Sequence, residues 1–204
     1  MDTAESIAND YLARNASVDI SSALSRGWAL VRDNMGLLVG ATVLAWLMTF
    51  VPIIGWFIGF VLLGGLDYMF LRRMRGETVQ IGDVFAGFNL AFLNLVMCGL
   101  VKLLLICLGV MACILPGIYL GVGYVFAIPL VIDKKMDFWP AMELSRRVVH
   151  KHWWSIFALV IVLALVACAG FLACGIGALI TIPLASAAFL YVYEDLFGVR
   201  AAAQ

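Results

Sequence analysis

The chain has 204 residues, of which 65% are hydrophobic and 13% charged, with no net charge. Soluble domains run to roughly 45–50% apolar and 25% charged. A water-soluble fold could not hide so much apolar surface, which makes the solvent a bilayer.

Residues 1–20 are polar and acidic (Asp2, Glu5, Asp10, Asp19), as expected of a tail or a short surface helix. No short apolar run with a small-residue cleavage site precedes residue 35, so the first membrane helix is expected to target the chain itself. Over residues 21–34, Leu24, Trp28 and Val31, with Met35 beyond them, recur at i, i+4, i+7 and i+11. They form one face of a helix, with Ser22, Ser25, Arg26 and Arg32 mostly elsewhere on its circumference. This segment is too polar to span and predicts a helix lying in the interface.

Three apolar blocks follow, 35–71, 90–132 and 153–193. Each is about twice the roughly 20 residues needed to cross a bilayer. Each has a breaker near its middle: Val51-Pro52-Ile53-Ile54-Gly55, Leu115-Pro116-Gly117, and Cys174-Gly175-Ile176-Gly177. Proline and glycine end helices and make tight turns, so each block is expected to fold as a helical hairpin. The predicted fold is all-α, with six transmembrane helices as three hairpins, each preceded by a short amphipathic interfacial helix.

Charge placement predicts the orientation. Of thirteen Lys and Arg residues, only Lys102 lies away from the charged side, and the three mid-block turns carry no charge. The positive-inside rule puts the charged side, with both termini, in the cytoplasm of a bacterial inner membrane. An internal repeat is expected beneath this pattern, with units 21–75, 81–135 and 138–198 and a tail at 199–204. Pro52 and Pro116 lie 64 positions apart, with Gly175 59 beyond. The amphipathic lead-ins are 21–34, 81–88 (Ile81, Val84, Phe85, Phe88) and 138–150, the last with Asp137 as N-cap and Pro140 in the first turn. Each unit has an even number of spans, so the copies share one orientation in a parallel-repeat bundle.

The runs Leu115-Pro116-Gly117-Ile118-Tyr119, Ala127-Ile128-Pro129-Leu130-Val131-Ile132-Asp133 and Ala141-Met142-Glu143-Leu144-Ser145 carry a family likeness. So do Cys174-Gly175-Ile176-Gly177, Ile182-Pro183 and Tyr193-Glu194-Asp195-Leu196-Phe197-Gly198. Together they resemble a broad group of bacterial six-helix membrane proteins that includes the membrane domain fused to some glycerophosphodiester phosphodiesterases. The likeness covers about residues 20–198 and rests on turn and capping residues; it implies fold and inner-membrane location. The phosphodiesterase activity does not carry over, because these 204 residues hold neither a soluble catalytic domain nor an acid cluster with metal-ligand spacing.

Small residues four apart, Gly55/Gly59, Gly117/Gly121, Ala169/Ala173 and Ala173/Gly177, predict packing seams where helix backbones approach closely. Arg72, Arg73, Arg75, Lys134, Lys135, Arg146, Arg147 and Lys151 sit at headgroup level, where they set topology and are candidate contacts for anionic lipid. Trp153-Trp154 read as an interfacial anchor, and His150 and His152, two apart, face different ways on a helix. Cys113 and Cys174, each just before a non-cytoplasmic turn, could pair as a disulfide in an oxidising compartment.

The most informative polar set is Asn94, Cys98 and Lys102 at i, i+4 and i+8, with Asp67 and Tyr68 on the neighbouring span. Ionisable residues in a membrane are costly and face a bundle interior or cavity. Lys102 and Asp67, with Asn94 and Tyr68 as secondary hydrogen-bonding candidates, are therefore either a proton, ion or substrate site or a structural ion pair pinning two hairpins together. No nucleophile–base pair, phosphate loop or metal constellation stands out, so neither enzymatic activity nor a cofactor is expected. The expected function is a membrane-embedded structural module binding lipid or a partner; a small transporter or exporter built around Lys102 and Asp67 is the alternative. Expected partners are membrane lipids, another membrane protein or a second copy, and not nucleic acid.

Overall fold

The computed structural model describes residues 9–11, 18–49, 54–172 and 177–198. Among them are ten long or short α-helices from residue 20 onward, one 3-10 turn, and no strand. Four helical stretches are long and apolar enough to cross a membrane: Phe92–Ala112, Ile114–Lys134, Trp153–Leu172 and Ala178–Phe197. A bent pair, Ile20–Asp33 with Met35–Met48, makes a fifth if counted as one span.

Helix α1 (Ile20–Asp33) starts where expected. The Asp19 carboxylate accepts from the backbone amides of Ser21 and Ser22 at 3.0 and 3.2 Å, satisfying two of the free N–H groups of the first turn. Its buried stripe differs from the expected one. Ala23, Gly27 and Val31 face the protein, while Trp28 is 45% and Met35 41% exposed. The reason is close packing on α10 (Ala178–Phe197): a Cβ on Gly27 would stand 3.0 Å from the backbone nitrogen of Ala188. Between α1 and α2 (Met35–Thr49) the chain bends by 99° at Asn34.

The first hairpin turn, around Pro52, lies outside the described residues, as do the side chains of 54–57, including the Gly55 seam. Helix α3 (Ile54–Met74) ends in Arg72 and Arg73, and the chain reverses at Gly76, whose φ of 83° suits glycine. The second amphipathic segment is a 3-10 turn (Ile81–Phe85) continued by a short α4 (Ala86–Leu90). It buries Val84 and Gly87 but leaves Ile81 43% exposed. It packs against the middle of α3 rather than beyond its end, because Gly65 and Gly87 are small enough to admit the carbonyls of Val84 and Val61.

The second hairpin turns at Cys113, whose extended backbone separates α5 (Phe92–Ala112) from α6 (Ile114–Gly123). This corrects the expected turn at Leu115-Pro116-Gly117. Pro116 occupies the first turn of α6, where its missing N–H costs nothing. Gly117 serves close approach instead: a Cβ on Gly109 would lie 2.9 Å from the Gly117 backbone. The returning arm is itself broken at residues 124–126 before α7 (Ala127–Lys134). Pro129, in the first turn of α7, cannot bond back to Val125, which accounts for the break. Lys135, at φ 51°, ends α7 in the left-handed conformation.

Helix α8 (Phe138–Lys151) buries Ala141, Met142, Leu144, Ser145, Val148 and Val149. It runs antiparallel along the arm just before it: the Ser145 hydroxyl donates to the carbonyl of Gly123 at 2.8 Å, and His150 meets Tyr119. Asp137 is its N-cap residue as expected, but its carboxylate makes no capping bond. Helices α9 (Trp153–Leu172) and α10 form the last pair, pressed together where Thr181 covers Gly170. Residues 173–176, with the Ala173 seams and the Cys174-Gly175-Ile176 breaker, lie outside the described residues. Gly177 is the N-cap of α10.

The core is continuous and heavily aromatic where α7 and α10 meet. Phe126 stacks on Phe189 at 4.9 Å and Tyr193 on Phe197 at 5.2 Å, and all four rings are packed into it.

Candidate functional site

The polar set divides into separate groups. Lys102, on α5, and Asp67, on α3, lie within each other's electrostatic field, with the buried Cys98 also beside Lys102. Neither charged side chain makes a hydrogen bond or an ion pair among the described residues. Asn94 is elsewhere, its amide donating to the Asp137 carboxylate at 3.2 Å. Tyr68 is also elsewhere, its ring under the Arg72 guanidinium at 5.6 Å. The two neutral residues are thus held at the charged ends of the helices, because stronger partners are available there.

The basic side is knitted together internally. Arg72 pairs with Glu77 at 2.6 Å and Asp83 at 3.5 Å. Arg73 donates to the Asn34 side chain at 2.7 Å, tying α3 to the α1–α2 bend. Arg75 reaches two carboxylates on two other elements, Asp133 on α7 at 2.6 Å and Glu194 on α10 at 2.9 Å. The phenol of Tyr193 donates to the other oxygen of Asp133 at 2.9 Å. Arg26 forks onto Asp195 and lies over the ring of Tyr191 at 4.7 Å. The hydrogen bond to Asp133 raises the pKa of Arg75 beyond its already high ordinary value. Charge-assisted, multiply bonded arrangements of this kind fix geometry as well as adding energy.

The remaining basic residues divide similarly. Lys134 lies 3.5 Å from Asp133. Arg146 and Arg147 both bond Glu143 at 2.8 Å, and the bond from Arg146 leads in holding the Glu143 pKa below its ordinary value. Lys135 is exposed. The lipid-contact role expected of this set therefore competes with internal pairing at Arg72, Arg75, Lys134, Arg146 and Arg147.

Sequence reasoning missed the Arg75–Asp133–Glu194–Tyr193 cluster. A signal was present: Glu194 and Asp195 are adjacent carboxylates in the last turn of an otherwise apolar helix, and such a pair needs counter-charge. A second feature not foreseen is a cleft of about 400 Å³ at the joint of α8 and α9, lined by Tyr119, His150, Lys151, His152, Trp153, Trp154 and Ser155. The Tyr119 hydroxyl and the His150 Nδ1 are 2.9 Å apart, and the Tyr119 ring stacks on Trp153 at 6.1 Å. An apolar groove of about 230 Å³, bounded by Thr42, Trp46, Phe171 and Leu179, opens between α2, α9 and α10. Cys98, Cys107, Cys113 and Cys168 are free thiols, and Cys174, the expected partner of Cys113, lies outside the described residues.

Comparison with known protein families, with curated proteins and with solved structures returns no match.

Proposed function

We propose that this protein is a non-catalytic, multi-pass module of the bacterial inner membrane that presents a stable helical surface to lipids or to a partner. In this reading six spans are formed by α2, α3, α5, α6 with α7, α9 and α10, and both termini are cytoplasmic. One observation carries the reading: Arg75 holds Asp133 and Glu194 together, so the ends of three separate helices are locked at one point. Charges used in this way hold helices in a fixed arrangement and are not directed toward a passing solute. The resemblance to bacterial six-helix membrane domains agrees with such a role.

A second reading, a small transporter or exporter, is favoured by Lys102 and Asp67. They are opposite charges coupled through space, without a hydrogen bond or ion pair among the described residues. In-membrane charges in that condition mark ion or proton pathways in many proteins.

Water access separates the two readings. K102C and D67C, each in a background without other cysteines, are tested in intact cells and inverted vesicles with a membrane-impermeant thiol reagent. The module reading expects neither position to react from either side. Labelling of both, blocked by a solute, would favour transport and end the module reading.

A further inference from the structure

From the way the buried positions recur we infer that the chain closes into a ring of three repeats, and that α1 is the strap at which the ring opens. In the helices that end each hairpin, buried residues return every 61 positions: Phe70, Val131 and Val192, then Leu71, Ile132 and Tyr193. In the helices that begin each hairpin, Leu38, Leu95 and Ile156 are buried at spacings of 57 and 61, as are Ala41, Cys98 and Leu159. The lead-ins keep those two spacings, with Gly27, Val84 and Ser145 all buried. A shared register through all three parts of the unit is the mark of a structural repeat, since apolar composition alone fixes no register.

Each lead-in rests on the closing helix of another unit. The carbonyl of Val84 packs on Gly65 of α3, and the Ser145 hydroxyl donates to the carbonyl of Gly123 at the end of α6. Gly27 meets the backbone of Ala188 on α10. In the 61-residue register Gly65 corresponds to Ala187, beside Ala188, and Gly123 corresponds to Leu184, one turn earlier. The three joints therefore lie within about a turn of one level. The second unit docks on the first, the third on the second, and the first on the third, which closes the ring.

The joints differ in their covalent backing. Residues 75–80 lead from α3 straight into its joint with the 3-10 turn, and residues 135–137 lead from α7 into α8. No short connection joins α10 to α1, because all the other helices intervene between them. That joint is held by side chains: Arg26 forks onto Asp195 and covers the ring of Tyr191, and Tyr11 packs on Phe197 at 5.4 Å. The side chains of Arg26 and Asp195 keep 39% and 31% of their exposure, so dissolved salt weakens their attraction. The far end of α1 bends by 99° at Asn34, and Arg73 anchors that bend. Pivoting there, α1 leaves α10 as one piece and uncovers Ala187 and Ala188 while each hairpin stays packed. Cooperative opening below the global unfolding energy is the behaviour of such locally backed units. The strap stands apart from both functional readings above, since it does not depend on whether the Lys102 face is wet.

The test is hydrogen exchange on the full-length protein in detergent, read by mass spectrometry with overlapping peptides. Residues 23–31 are expected to share one level of protection, lower than that of residues 141–149 in α8. R26Q is expected to speed exchange across this whole segment about fivefold, the effect of one half-exposed ion pair, and to leave α8 unchanged. A circular permutant of the complete sequence moves the unbacked joint: it begins at Val79, ends at Thr78, and joins residue 204 to residue 1 through a short Gly/Ser bridge. In it α1 should gain protection and residues 81–90 should lose it.

Protection that declines steadily from residue 31 outward to residue 20, unmoved by R26Q, would reduce the strap to ordinary end fraying and overturn the proposal. So would a folded permutant in which residues 81–90 stay as protected as before. A permutant that fails to fold, while the natural chain carrying the same bridge at its C-terminus folds, would overturn the ring closure itself.

Discussion

Arg75 and Asp133, 58 positions apart, are joined by a 2.6 Å charge-assisted hydrogen bond between the end of α3 and the end of α7. The Asp133 side chain is only 4% exposed and the Arg75 side chain 35%, so the carboxylate depends on this partner far more than the guanidinium does. Removing one member of a buried pair costs roughly 3–5 kcal/mol; the partial exposure of Arg75 reduces that to about 2 kcal/mol. R75M is therefore expected to lower stability by about this amount, and R75M/D133N to recover a large part of it. Unfolding of the four variants in one detergent measures the coupling; strictly additive losses would mean that the pair is incidental.

Glycine positions should divide sharply. A Cβ at Gly65 would collide with the carbonyl of Val84, and that backbone can retreat only by moving the whole 3-10 turn. G65A is expected to cost about 2 kcal/mol or more, in the range of overpacked cores. At Gly40 the nearest atom to an added Cβ is the tip of Ile81 at 3.9 Å, so G40A should be neutral or stabilising by up to about 1 kcal/mol. Similar effects at both sites would contradict the described packing.

Lys102 and Asp67 act on each other through space, without direct contact. K102M alone and D67N alone should each leave an uncompensated charge, and the double variant should recover part of the loss. The coupling should be smaller than that between Arg75 and Asp133, because distance weakens it. A zero coupling energy in thermal unfolding would assign the two charges to separate environments.

Acid stability should report on Glu143. Its folded pKa is depressed, foremost by the hydrogen bond from Arg146 and then by that from Arg147. The stabilisation is fully present above the ordinary value of 4.5 and is lost as the pH falls through the lower folded value. Melting temperatures followed downward from pH 6 should fall less steeply below that value for E143Q than for wild type. Identical slopes would show that Glu143 is not protonated with linkage to unfolding.

Reporter fusions test the proposed topology. A fusion after residue 204 should report the cytoplasm and one beside Pro116 the opposite side. If both report the same compartment, the middle hairpin re-enters and does not cross.

Composition and periodicity determined a good deal without any structure. Long apolar blocks, charge gathered between them, and amphipathic lead-ins are local properties of the chain; α-helices occur at 20–33 and 138–151, and a 3-10 turn with a short α-helix at 81–90. Side-chain period locates a helix because it depends only on neighbours three and four apart. The orientation of α1 did not follow from that rule: its buried stripe was chosen by Gly27 meeting Ala188, a contact between residues far apart in sequence. The same limit explains the turn at Cys113, where Pro116 could either break a helix or begin one, and packing of Gly109 on Gly117 decided between them. Among the charges, the sequence singled out Lys102 and Asp67 by their apolar neighbourhoods, which is legible locally. That Arg75 would meet Asp133 and Glu194, that Asn94 would turn to Asp137, and that Tyr119 would join His150 depended on how helices pack. Ion pairs across 58 or 119 positions leave no periodic trace, because their spacing is set by the tertiary structure.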